Sequence, residues 1–186
     1  RRTANGLQIA LPKHPSTEKA ILHVVPFYKH LGSALSLDGS CVREAKLRST
    51  SAMNAYVPIC TRVFGSPRIS QSLKLHFMQS LVLYRLLFHA HTLVLKPKVL
   101  SVYNGPYMRI LRRIHGSPNF GKAEYSDLQV REDLMMPSID CLLMRARLKY
   151  LKRVITKAPV SLVAILGSAD GPKRMPWSVL VAGDLD

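Results

Sequence analysis

Carboxylates are the first place to look for chemistry, and in this 186-residue chain they do not pair. Phosphoryl transfer by two metals needs at least two acidic side chains converging on Mg²⁺. Glu18, Asp38 and Glu44 are scattered, and Glu132 and Asp133 are adjacent, so on a helix they splay about 100° apart. Asp184 and Asp186 would share one face of a strand at the very end of the chain. No metal site is expected from these sets. His89 and His91 stand two apart on an expected helix, about 200° around its barrel, which keeps them off a single ion. A histidine satisfied in a core or an interface is the expectation there. Neither a Gly-x-Ser-x-Gly elbow nor a Gly-rich phosphate loop occurs. No catalytic residue and no cofactor is therefore expected within the chain.

Cations are what the spacing does offer. Arg109, Arg112 and Arg113 follow i, i+3, i+4 and would form one patch. Arg145, Lys149, Lys152 and Arg153 follow i, i+4, i+7, i+8, which spreads a basic row over roughly 12 Å of helix. Such a row can track phosphates while its aliphatic stems lie along an apolar stripe; a solvated helix face fits the spacing equally well. Lys46, Arg48 and Lys74 complete the candidate nucleic-acid contacts, with Lys29 beside them. The chain carries 27 Lys and Arg against 11 Asp and Glu, a formal charge of +16. Residues 1–122 hold 18 basic and 3 acidic side chains, whereas 123–186 hold 9 and 8. A field that uneven points to a polyanion, nucleic acid above all. Membrane-surface binding would need a sharper amphipathic segment.

The elements that must position these groups follow from periodicity. Hydrophobic residues make up 47% of the chain, ordinary for a globular protein. Cys41, Cys60 and Cys141 are odd in number and far apart, which excludes a disulfide framework and a cysteine zinc site. They fit small buried hydrophobes in a reducing compartment, so an intracellular location, nuclear or cytoplasmic and not secreted, is expected. The most apolar stretch, Ser80 to Leu95, is about 16 residues long and contains Arg85, too short and too polar to span a membrane.

Residues 1–20 read as a loop or fraying end, and two or three short strands follow between Ala20 and Leu37. Leu31, Ser33, Leu35 and Leu37 share one face at period two. A helix capped by Ser40 then runs to Pro58, with Val42, Ala45, Ser49, Ala52, Met53 and Tyr56 on one side. Ser70 starts a long buried helix through about Leu95, and a third spans about Lys98 to His115, with a break at Gly105-Pro106 and a stop at Gly116. Ser126 and Gln129 form a capping-box pattern. Pro137 suits the first position of a fifth helix, along which Ile139, Leu142, Leu143, Ala146, Tyr150 and Val154 make an apolar stripe. A sixth helix is expected over 159–166, before a last segment around Trp177. The fold class is mainly α: a short N-terminal β-hairpin element followed by an α-helical bundle.

Several segments resemble a known family. Phe27-Tyr28-Lys29-His30-Leu31-Gly32, followed by Asp38-Gly39, resembles the "YLG" hairpin of non-LTR retrotransposon reverse transcriptases, their primer grip. Ile69-Ser70 with Lys74, then Leu86-Leu87-Phe88-His89-Ala90-His91-Thr92, is similar to that family's thumb pattern "is…K…LLYGxET". Met108 to Gly116 resembles "mRkiLrrixG", and Arg147 to Arg153 resembles "RLrylgrv". The match runs in order over roughly residues 21–155. His89 stands where the family has Gly, His91 where it has an acid, and Leu93 where Trp often follows.

The resemblance implies a fragment of an RNA-directed DNA polymerase that grips the primer end and clamps an RNA/DNA template–primer duplex. Tyr28, Lys29, His30, Leu31 and Gly32 would be its primer-grip-like residues. The strand carrying the catalytic aspartates would precede Arg1, both ends resembling cuts in a longer chain. Mg²⁺ and the rest of the polymerase would thus be partners held elsewhere in the parent protein. Residues 1–39 would end the palm with the hairpin, 40–157 would form the thumb-like domain, and 158–186 a C-terminal helical extension. A stand-alone basic helical nucleic-acid-binding domain and a non-functional retroelement remnant are the alternatives.

Overall fold

The computed structural model describes residues 2–3, 6–10, 21–23, 25–30, 32–116, 125–161, 164 and 176–185; up to residue 23 and over 176–178 the description is of the backbone. The chain is mainly helical, with a short antiparallel hairpin near its N-terminus. Strands β1 (Arg2–Thr3), β2 (Gly6–Ala10) and β3 (Ile21–His23) form a sheet in that order. β2 pairs with β3 from Gln8↔His23 to Ala10↔Ile21. The expected loop over 1–20 therefore holds two strands. Five residues are too few for alternation to announce itself, and the pairing partner lies a dozen residues downstream.

β4 (Phe27–His30) and β5 (Ser33–Ser36) make the hairpin, in register from Phe27↔Ser36 to His30↔Ser33. Gly32 closes it at φ 87, a left-handed conformation that a Cβ would penalise. The expected apolar face is reversed. Leu35 and Leu37 are 58% and 72% exposed, while Ala34, on the opposite face of the strand, is buried against the bundle. Leu31 lies outside the described residues.

Helix α1 (Val42–Tyr56) begins one residue later than expected, with Cys41 at the cap position and Ser40 Oγ accepting from the Val42 amide. Ala45, Ala52 and Tyr56 face inward. The regular helix ends just before Pro58, as expected; the path then tightens into a 3₁₀ turn (Val57–Ile59) and widens into a π turn (Cys60–Phe64). Ser70 caps α2 (Gln71–Phe77) by accepting from the Leu73 amide. A π turn (Met78–Leu83) and a short α3 (Tyr84–Leu86) continue it. The expected run to Leu95 ends at Leu86, because His89 takes the left-handed conformation at φ 57 and a 3₁₀ turn (Ala90–Thr92) follows.

Helix α4 (Pro97–His115) is the centre of the core, and it passes unbroken through Gly105-Pro106. A helix-interior proline costs about 3 kcal/mol, and burial of Val99, Tyr103, Tyr107, Met108, Ile110, Leu111 and Ile114 offsets it. Gly116, at φ 92, ends the helix with its amide on the Arg112 carbonyl. Helix α5 (Asp127–Asp133) starts with both halves of the capping box in place, at 3.2 and 2.8 Å. Ser138 caps α6 (Ile139–Lys157), so Pro137 precedes the cap instead of opening the helix. Its carbonyl accepts a 2.6 Å bond from the buried Tyr107 hydroxyl. Of the expected sixth helix, 159–166, Val160, Ser161 and Ala164 are helical, and half of its residues lie outside those described. Helix α7 (Pro176–Gly183) spans the segment around Trp177.

Ile139, Leu143 and Val154 are buried along the inner stripe of α6. Arg147 is buried on the same side, where Asp184 takes its guanidinium in two bonds of 2.5 and 2.7 Å and ties α7 to α6. The three cysteines are free, Cys41 and Cys60 half-buried and Cys141 exposed, so none is the buried hydrophobe expected. Among the described residues no helix is long and apolar enough to cross a membrane.

Candidate nucleic-acid interface

The loop of the hairpin is built into the bundle by one ion pair. Glu44 and Arg48 lie one turn apart on α1, with Arg48 Nε 2.6 Å from Glu44 Oε1. The other carboxylate oxygen accepts the Ala34 amide at 2.5 Å, and Arg48 also donates to the Gly32 carbonyl. Glu44 is almost wholly buried, so its charge stands only because these partners replace water. The Arg48 guanidinium lies 4.6 Å above the Phe88 ring, a cation–π contact.

A second connection runs through histidines. Ser33 Oγ and His89 Nδ1 are 3.0 Å apart, bridging hairpin to bundle across 56 residues of sequence. His89 stacks on Phe88 at 4.3 Å, lies 5.8 Å from His91, and His91 meets Tyr150 of α6 at 4.4 Å. The two histidines are thus in a turn, not on opposite sides of a helix as expected, and their rings are neighbours. Burial lowers the His91 pKa below its usual 6.5, and the nearby charges of His89 and Arg153 push it the same way.

The structure sorts the expected cations into bound and free. Arg48 is engaged as described, so it is not left for a phosphate. Lys74 sits on the inward side of α2 with 9% of its surface exposed. Arg112 donates to Asp127 at 2.5 Å and to the Tyr125 carbonyl at 3.0 Å. Arg48 and Arg112 are thus engaged within the fold, and Lys74 is buried. Lys29 and His30 on the hairpin, Lys46 on α1, and Arg109 and Arg113 on α4 face solvent. Arg145, Lys149, Lys152 and Arg153 on α6 do so too. Tyr28, 59% exposed, stacks on His30. Gly32 is exposed at the loop.

Two cations missed from the sequence join Lys46. Arg43 and Lys98 line with it an open cleft of about 1000 Å³ between the hairpin base and α1, which also contains Asp38 and Ser40. Arg43 lies 3.4 Å over Phe27. The i, i+3 spacing of Arg43 and Lys46 was a usable signal; the approach of Lys98 from α4 had none.

Among the described residues no three His, Cys, Asp or Glu side chains gather as metal ligands would. The exposed cations among the described residues are the groups with the charge to contact an anion. No protein-family model, curated protein or solved structure matches this chain.

Proposed function

We propose that the chain is the primer-grip and thumb region of a non-LTR-type RNA-directed DNA polymerase, holding the primer end and clamping the template–primer duplex. One observation carries this reading: the three segments resembling the hairpin, the thumb turn and the later thumb helix meet at one place. Ser33 reaches His89, Arg48 spans Gly32 and Phe88, and His91 touches Tyr150. Nothing in their sequence separation requires that meeting. His89 also holds a left-handed backbone at the position where the resembling family carries glycine, the residue that adopts it most cheaply.

In this role the exposed Tyr28–His30 pair offers rings to a terminal nucleotide, and Lys29 beside them a charge for its phosphate. Lys149 and Arg153 lie on the side of α6 next to Tyr150 and take the duplex backbone. The chain contributes position and charge; the aspartates and Mg²⁺ belong to the palm of the parent protein. The test is binding of a recessed RNA–DNA hybrid by the 186-residue chain across a salt series. Affinity should fall about 10³-fold or more between 50 and 200 mM salt if six or more phosphates are contacted. Absence of binding, or a flat response, would refute the clamp.

A further inference from the structure

Helix α6 has a second apolar stripe, distinct from the one it turns to the core. Cys141, Met144, Leu148, Leu151 and Ile155 repeat at alternating steps of three and four, the a and d positions of two heptads. Over those 15 residues the seam is about 21 Å long. It is not covered. Ile155 is 62% and Met144 37% exposed, Cys141 is exposed, and Leu148 and Leu151 are half-buried. A shallow groove of about 360 Å³ runs along it, floored by Cys141, Met144 and Leu148 and rimmed by Arg145, Lys149 and Lys152. In heptad terms Arg145 and Lys152 occupy e positions, where charge selects the partner of a helix pair. Asp140, the acid nearest the seam, turns aside into a hollow with Arg131 and Ser138.

We propose that this seam docks an acidic amphipathic helix of a partner protein, its apolar residues on Met144, Leu148 and Ile155 and its carboxylates on Arg145 and Lys152. A phosphate backbone would use the rim and leave the apolar floor wet. A second copy of this chain would set one basic rim against another, a like-charge pairing that opposes association. Only a partner that is apolar in the middle and acidic at the edges satisfies both parts of the surface. The docking does not rest on the polymerase role: Lys149 borders the groove as well as the proposed clamp, so the apolar positions Met144 and Ile155 separate the two.

The probe is a labelled helical peptide of about three heptads with Leu at a and d and Glu at e and g, followed by fluorescence anisotropy with the 186-residue chain. Hybrid-duplex binding is measured in parallel. The wild-type chain should bind the peptide. Met144→Ser with Ile155→Ser, both at exposed positions, should weaken that binding about tenfold or more and leave duplex binding and helicity unchanged. Arg145→Glu with Lys152→Glu should abolish it, and a peptide with Lys in place of Glu should restore it to that variant. The proposal is overturned if the wild type ignores the acidic peptide, binds acidic and basic peptides alike, or binds equally after the serine changes. It is overturned equally if the wild type dimerises through the seam. Charge reversal that abolishes duplex binding and spares peptide binding would make the rim a phosphate row and also overturn it.

Discussion

Helices α4 and α6 are each 19 residues long, and each carries an arginine-rich segment, yet the fold uses them in opposite ways. α4 buries seven side chains along one side, and Arg112 at its end is spent on Asp127 and the Tyr125 carbonyl. α6 buries four and holds Arg145, Lys149, Lys152 and Arg153 in solvent. Cation spacing does not separate the two cases. The neighbouring elements do: Arg112 lies where α5 closes over the end of α4, whereas Arg109 and Arg113 stay on its exposed face. α6 keeps its cations on a solvent-exposed face.

The largest effect should come from the inner face of α6. Arg147→Ala leaves the buried Asp184 carboxylate without its guanidinium, and such losses cost about 3–5 kcal/mol. For a domain of this size each kcal/mol shifts Tm by about 2–4 °C, so thermal unfolding should move down by roughly 10 °C. A change under about 2 °C would mean that α7 is not held by this pair.

Removing Arg48 comes next. Arg48→Ala strands Glu44 in the core, with a cost of about 3 kcal/mol expected and faster hydrogen exchange at the Ala34 amide. An unchanged Ala34 exchange rate would show that the hairpin is anchored elsewhere. Arg112→Ala should cost less, about 0.5–1 kcal/mol, because Asp127 is half exposed and solvent screens the pair; chemical denaturation measures it.

A smaller effect follows pH. Burial disfavours the protonated form of His91, so the unfolded chain binds that proton more readily than the folded one. Stability contributed by the neutral ring is present above the ordinary pKa of 6.5 and declines as pH falls below it. Tm should therefore drop on acidification below 6.5, and His91→Gln should flatten that drop. An identical pH profile in the variant would contradict the assignment.

Signals confined to one turn of chain were legible in the sequence. The Ser126–Gln129 box, the Ser70 cap and the Gly116 stop all depend on residues within four positions of each other, and all three form. What was not legible depends on distant partners. Pro106 stays helical because the core closes around Tyr103 and Tyr107. β2 exists because Ile21–His23 returns to it, and His89 ends its helix early in contact with Ser33. The candidate site divides the same way. Solvent-facing cations on α6 followed from helical spacing, whereas the loss of Arg48, Lys74 and Arg112 to the fold required knowing what packs beside them. The second stripe on α6 was present as a three-four repeat and was masked by the stronger inner one.

The direct test of the clamp is the salt dependence of RNA–DNA hybrid binding by Lys149→Ala with Arg153→Ala. Both side chains are exposed, so helicity and Tm should stay as in the wild type. If each contacts one phosphate, affinity should fall at every salt concentration, and the log–log slope should lose about 0.9 per contact on a B-form reference duplex. Wild-type affinity with a wild-type slope would contradict the account and leave this side of α6 a solvated surface.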